Sequence, residues 1–277
     1  MSDRVADTPK RMAVVPGIDA PATSDERLFF VVGVFDGLHL GHLYLLGRLR
    51  EEAARRGAVP AVVTFDHHPD EILTGAAPAL LCDPGERLER LEAAGVGVTI
   101  VQHFDFALRM TTYDAFVRRI AARAPLAGFL MTPDSAFGHE RSGTPAAVAA
   151  LGAELGYDVA VIPSLALDGR PVRSAEIRAD IASGDLRGAA RLLGRPYAVV
   201  GEGRPASAGM IRLSFPMPVA LPPAGEYRVV AGPRGEGGGV AATVVINSNG
   251  RLELDGRALP SGSAGPLRVT FEPDGAA

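Results

Sequence analysis

The sequence predicts an α/β chain, a parallel sheet covered by helices, with a small all-β, barrel-like module after it. Three observations carry this. From Leu28 to Gly194, short apolar runs rich in aromatic and β-branched residues alternate with stretches of helical spacing, a pattern that builds parallel sheets through right-handed crossovers. After Pro196 the helical period stops and short β-like pieces follow one another among Gly and Pro residues. With 277 residues, 47% hydrophobic and 22% charged, the chain has the composition of a folded globular protein with room for more than one domain.

In order, LFFVVGVF (28–35) reads as a strand, and HLGHLYLLGRLREEAARRG (39–57) as a helix closed by a glycine. AVVTF is the next strand, ERLERLEAAG a helix ending at Gly95, VGVTIVQHF a strand and YDAFVRRIAARA a helix. LAGFLM, TPAAVAALGAELG and YDVAVIPSL continue the series as strand, helix and strand. The stretch 174–194 reads as one further helix. In the last part YRVVAG, VAATVVIN, RLELDG and LRVTFE are β-like, and the glycines around Gly235-Glu236-Gly237-Gly238-Gly239 form a loop between two of them. The expected organisation is an N-terminal extension (1–27), an α/β domain (28–197) and a β module (198–277), with the tails 1–26 and 272–277 loose.

Charge and cysteine usage exclude several classes. Lys plus Arg is 28 and Asp plus Glu 32, a formal net charge of −4, which draws the chain to neither nucleic acid nor anionic membranes. The single cysteine, Cys82, permits no internal disulfide and no multi-cysteine metal site. No apolar run approaches the roughly 20 residues of a membrane helix, and 1–26 holds Asp3, Asp7, Asp19 and Asp25 without a signal-like apolar stretch. A cytoplasmic protein acting on small molecules is expected, and oligomeric state is not legible.

The stretch Gly33-Val34-Phe35-Asp36-Gly37-Leu38-His39-Leu40-Gly41-His42 lies between the first strand and the first helix. A helix start offers unpaired N–H groups and the positive end of a dipole, so phosphate settles there, and glycines let a ligand approach the backbone. His39 and His42, three apart, share one face if the helix has begun, so both can donate to one phosphate. The plainer alternative is a surface histidine and a capping histidine beside a tight turn.

At these residues the sequence resembles the FAD synthetase family, the bacterial riboflavin kinase/FMN adenylyltransferases, whose GxFDGxHxGH signature it carries. Thr64-Phe65-Asp66-His67-His68-Pro69 is similar to that family's TFDPHP element, Ala136-Phe137-Gly138 with Arg141-Ser142-Gly143 to its FRFG…SGD loop, and Leu193-Gly194-Arg195-Pro196-Tyr197 to its LGRPY. The resemblance, over residues 28–197, implies a Rossmann-like nucleotidylyltransferase domain that transfers AMP from ATP to FMN, with FAD and pyrophosphate as products and Mg²⁺ carried by the nucleotide. It implies His39, His42 and Arg178 as catalytic residues, with Arg178 holding the β- and γ-phosphates through a bidentate guanidinium. Gly33, Phe35, Asp36, Gly37, Gly41 and Ser174 are the implied nucleotide-binding residues, and His68, Asp134 and Phe137 the implied flavin-binding ones.

Departures from the family are specific. Its SSTxIR is here Arg173-Ser174-Ala175-Glu176-Ile177-Arg178, without the threonine hydroxyl and with a carboxylate, Glu176, expected to face solvent. Thr132, Asp134 and Ser135 replace the usual residues ahead of Phe137. Where the riboflavin kinase module carries GFPTAN, the chain has Ser214-Phe215-Pro216-Met217-Pro218-Val219, so Met217 and Val219 replace the Thr and Asn. Pro222-Pro223-Ala224-Gly225-Glu226-Tyr227 still resembles its PPxGxY, and the β module is expected to be truncated and without kinase activity. The altered loop leaves a different phosphate acceptor as an alternative; the lost threonine leaves a non-catalytic flavin- or nucleotide-binding protein as another.

Asp66, His67 and His68, with Asp36, could be imagined as metal ligands, but adjacent histidines in one turn point in opposite directions, so no protein-held metal is expected. Cys82, ahead of Asp83-Pro84, is expected to be a buried small residue at a helix start capped by Asp83 or by the preceding turn.

Overall fold

A computed structural model describes residues 11–20, 25–206, 209–235, 238–259 and 265–276. Residues 1–10 of the expected extension, and Glu236 and Gly237 of the glycine loop, lie outside the described residues. The chain forms two compact units. The first comprises Met1–Phe35, His42–Ala77 and Leu88–Ser164; the second, Asp36–Gly41, Pro78–Arg87 and Leu165–Ala277.

In the first unit the elements follow in order: β1 (Ala13–Val15), β2 (Leu28–Val32), α1 (Leu40–Arg55), β3 (Val59–Phe65), α2 (Pro69–Thr74), α3 (Pro84–Ala93), β4 (Val98–Gln102), α4 (Phe106–Arg109), α5 (Tyr113–Ala121), β5 (Leu126–Met131), α6 (Pro145–Leu155) and β6 (Asp158–Val161). The first two residues of α1 and the start of α3 belong by compactness to the second unit. The strands make one parallel sheet in the order β1-β4-β3-β2-β5-β6. Phe30, Ala61, Val63, Phe129 and Met131 are buried in its core. Burying an aliphatic or aromatic side chain stabilises the fold by roughly 1.5–3 kcal/mol, which is why these runs are apolar almost throughout. Succession runs one way from β2 to β3 and β4 and the other way from β5 to β6, so the switch of direction falls between β2 and β5. In open α/β sheets ligands bind beyond the carboxyl ends of strands at such a switch.

The tails differ from expectation. Ala13–Val15 adds an edge strand parallel to β4, with Met12, Val15 and Ile18 buried, so residues 11–20 are not loose. Three residues are too few to show a period, and hydrogen bonding to β4 rather than local propensity makes the strand.

The second unit contains a two-stranded ribbon, β7 (Ala166–Leu167) with β8 (Arg170–Pro171), then α7 (Ser174–Ser183) and α8 (Leu186–Leu193). The single helix expected over 174–194 is two, because Gly184 closes α7 in a left-handed conformation (φ 84°) and the Asp185 side chain accepts from Gly188 N–H to open α8. After them come β9 (Ala198–Pro205), β10 (Met210–Ser214), β11 (Gly225–Pro233), β12 (Val240–Ile246), β13 (Leu252–Asp255) and β14 (Gly265–Ala276). These six antiparallel strands close into a barrel, β10-β13-β12-β11-β14-β9. Alternate residues face inward, as in Leu252 and Leu254 or Leu267, Val269 and Phe271. The barrel is closed despite its short sequence, and β14 runs to Ala276, so the second tail is ordered as well. Ile177, Ile181, Leu186, Leu192 and Tyr197 share one core with the barrel strands, so the boundary expected near residue 197 falls inside a unit. Among the described residues no helix is long and apolar enough to cross a membrane.

Candidate functional site

The candidate residues fall in both units. In the first, the carboxyl ends of β2, β3 and β5 present the segments that begin at Gly33, Asp66 and Thr132. The Gly33 N–H donates to Val63 O, and the Thr64 hydroxyl to Val34 O. These bonds hold the chain as it leaves β2. Phe35 is buried with φ 55°, a left-handed conformation that an aromatic residue rarely adopts, and its ring lies 5.1 Å from that of His42 in the first turn of α1. Residues kept in such conformations cost roughly 1–3 kcal/mol and cluster at functional sites.

Further along the same edge, His68 caps α2, its Nδ1 accepting from Asp70 N–H. Asp134 accepts from the Thr132 and Ser164 hydroxyls, and the Ser135 hydroxyl accepts from Thr132 N–H while donating to Thr132 O. Phe137 packs between Phe116 and Phe129, ring centres 5.5 and 5.8 Å away. A pocket of about 60 Å³ opens beside it, lined among others by Val31, Leu45, Thr132, Ser135 and Phe137.

In the second unit the turn 36–41 is held from several directions. The buried Asp36 carboxylate accepts from Leu81 N–H and Cys82 N–H and from the Arg178 guanidinium at 2.6 Å. The Ser174 hydroxyl donates to Asp36 O, and Arg195 donates to the carbonyls of Gly37 and Leu38. Arg178 also donates through Nε to Ala79 O. Ser174 and Arg178, expected to hold phosphates, are therefore bonded to the turn itself, because the buried carboxylate of Asp36 requires a cation. Arg195 was visible only as a letter of LGRPY; its clamp on two carbonyls, 158 and 157 residues away, has no local signal.

Gly37 and Gly41 have reasons independent of a ligand. Gly37 has φ 81°, and a Cβ there would stand 2.9 Å from Leu81 Cβ; at Gly41 it would stand 2.6 Å from Val172 O. His39, just before α1, is buried, and that burial together with Arg195 and Arg178 lowers its pKa to about 4. It is neutral at pH 7, with an N–H to donate but no charge. Leu38 beside it is also left-handed (φ 39°).

Glu176 bonds Arg170 at 3.2 Å and is partly exposed. Cys82 is buried and accepts from Gly37 N–H, and desolvation, reinforced by Asp36, pushes its thiol to about 12. It is no nucleophile. Of the two caps the sequence left open for α3, it is Asp83 that accepts from Gly85 and Glu86 N–H. Met217 and Val219 belong to a segment joined to the chain at Leu80, which donates to Pro218 O and pairs with Val219.

The family model described as FAD synthetase matches residues 22–176. The bifunctional riboflavin kinase/FMN adenylyltransferase of Haemophilus influenzae is 35% identical over 173 residues, 62% of this chain and 56% of that protein. Those of Escherichia coli K12 and Pseudomonas fluorescens are 30% and 35% identical, each match covering 69% of this chain and 62% of the relative. The chain thus spans less than two thirds of the length of these relatives. The crystal structure of the macrolide-efflux protein from Streptococcus pneumoniae aligns with a TM-score of 0.76 over 94% of this chain and 89% of that one; at 21% identity this is a likeness of fold.

Proposed function

The chain belongs to the FAD synthetase family, and from that premise we propose that it is an FMN adenylyltransferase, transferring AMP from ATP to FMN with release of pyrophosphate. The observation that carries the reading is the GVFDGLHLGH segment, which leaves a parallel strand next to the sheet's switch of direction and enters α1 within the matched region. A helix start at such a place suits a phosphate chain. The FMN phosphate attacks the α-phosphorus of ATP in line and pyrophosphate leaves, so the protein contributes position and charge stabilisation rather than a covalent intermediate.

In this reading His42 donates to phosphate oxygen as charge develops, and His39 acts as a neutral donor whose proton affinity rises when a polyanion arrives. Asp36, Ser174, Arg178 and Arg195 act through the turn they hold, while Gly33, Phe35, Gly37 and Gly41 shape the backbone at which the nucleotide lies. His68, Asp134 and Phe137 face the acceptor. Mg²⁺ enters on the nucleotide, since it keeps much of its water and prefers phosphate oxygens to imidazole.

A second reading, transfer to a different phosphorylated acceptor, draws on the 132–135 turn. Asp134 is bonded within it, and the adjoining pocket of about 60 Å³ is below the roughly 300–1,000 Å³ typical of ligand sites. Riboflavin kinase activity is absent in the proposal, because Met217 and Val219 offer no oxygen to metal or phosphate.

Incubation with ATP, Mg²⁺ and either FMN or riboflavin, with FAD and pyrophosphate separated by chromatography, tests this. FAD from FMN and no FMN from riboflavin is the expected result. Pyrophosphate released only with another acceptor selects the second reading, and no pyrophosphate with any phosphorylated acceptor leaves a binding protein.

A further inference from the structure

We propose that Asp66, His67 and His103 form a site for one first-row divalent transition ion of the zinc class. The first two residues follow β3 and the third follows the neighbouring β4, so parallel pairing of Phe65 with Gln102 delivers all three to one place. Ligand atoms from the three side chains lie within 4.8 Å of one another, the one such group of His, Cys, Asp or Glu among the described residues. His103 Nδ1 stands 2.6 Å from Asp66 Oδ2, and His67 Nδ1 stands 3.2 Å from Asp66 Oδ1. Tetrahedral zinc with bonds near 2.0–2.1 Å sets its ligands about 3.3 Å apart. The Asp66–His103 edge therefore opens by less than an ångström, within the reach of three partly exposed side chains.

Adjacent histidines do diverge, as the sequence argument held: the His68 ring turns to cap α2. The second imidazole comes instead from the next strand, which no reading of 66–69 alone reveals. His67 stands where the family's TFDPHP element carries proline, so the site belongs to this chain's own substitution.

The surroundings suit ligation. Asp66 Oδ1 accepts from the backbone N–H groups of His67 and Phe104, which orients the carboxylate and leaves Oδ2 toward His103. The Gln102 side chain donates to His103 O and accepts from Ile18 N–H, fixing the end of β4. Such supporting bonds set ligand direction in metal sites. An aspartate carboxylate is anionic at neutral pH, and here it already faces the His103 ring and two backbone N–H donors. The ion takes the place of the proton shared by Asp66 and His103, and the exposed side leaves positions for water. Two imidazoles with one carboxylate favour zinc, copper or nickel over magnesium.

The test is calorimetric titration of the untagged, chelator-treated full chain with Zn²⁺, with cobalt absorption as a second readout. One ion per chain is expected, unaffected by millimolar Mg²⁺, with affinity falling at least tenfold in His103→Ala, His67→Pro and Asp66→Asn. Thermal unfolding should shift upward with Zn²⁺ in the parent and not in these variants. Because the His103 ring is exposed, His103→Ala should unfold as the metal-free parent does. Absence of saturable binding, competition by Mg²⁺, or equal affinity in His103→Ala and His67→Pro would overturn the site and leave an ordinary Asp–His hydrogen bond.

Discussion

Arg178 Nη2 lies 2.6 Å from Asp36 Oδ2, joining residues 142 apart in sequence. The carboxylate is 3% exposed and also receives Leu81 and Cys82 N–H. A buried carboxylate is tolerable only when a cation and hydrogen bonds replace its water. The pair therefore works as a brace for the turn between β2 and α1, and three predictions concern that turn.

Removing the cation strands the anion. Arg178→Ala should lower the free energy of unfolding by about 3 kcal/mol, the cost of breaking a buried pair from one side. Urea denaturation measures it, and a loss within 0.5 kcal/mol would mean that water reaches Asp36.

Gly37→Ala places a methyl group against Leu81 at a left-handed position. A loss of more than about 1 kcal/mol is expected, whereas Gly47→Ala, in open space within α1, should be neutral or stabilising. Equal midpoints for the two variants would show that the turn relaxes freely.

Acidification should weaken the fold through His39. The unfolded chain takes up this proton near pH 6.5 and the folded chain only near 4. Between those values the unfolded state binds more protons, so stability falls as pH drops through that window, by about 3 kcal/mol at its end. The difference in unfolding free energy between parent and His39→Gln across pH 4 to 7 isolates the effect. A pH-independent difference would place His39 in water.

His42→Ala should reduce adenylyl transfer by about a hundredfold or more, as removal of one transition-state donor does. Steady-state turnover with ATP and FMN decides this, and near-normal turnover removes the phosphate role.

Much of the architecture was legible because its signals are local. The four inner strands β2 to β5 are apolar runs of five to seven residues, and the helices start at Thr144 or Asp83 and stop at Gly95 or Gly156. The break inside 174–194 was written in Gly184-Asp185, a stop followed by a cap, but continuous periodicity on either side masked it. The strand at 13–15 owes its form to β4 far along the chain, and the first two barrel strands, besides pairing with each other, are completed by β13 and β14. The same division holds for the candidate residues. The 33–42 motif announces itself, whereas the bond of Arg178 to Asp36, the Arg195 clamp and the approach of His103 to Asp66 depend on folding and have no spacing to read.

The second unit is discontinuous: Asp36–Gly41 and Pro78–Arg87 are woven into it, and Leu81 lies in the same core as Tyr197 and Phe271. A fragment beginning at residue 198 would close its barrel strands around a core missing Leu81, Ile177, Ile181 and Leu192. The two units therefore cannot be dissected by a single cut, and swapping the barrel for another would require grafting three segments at once.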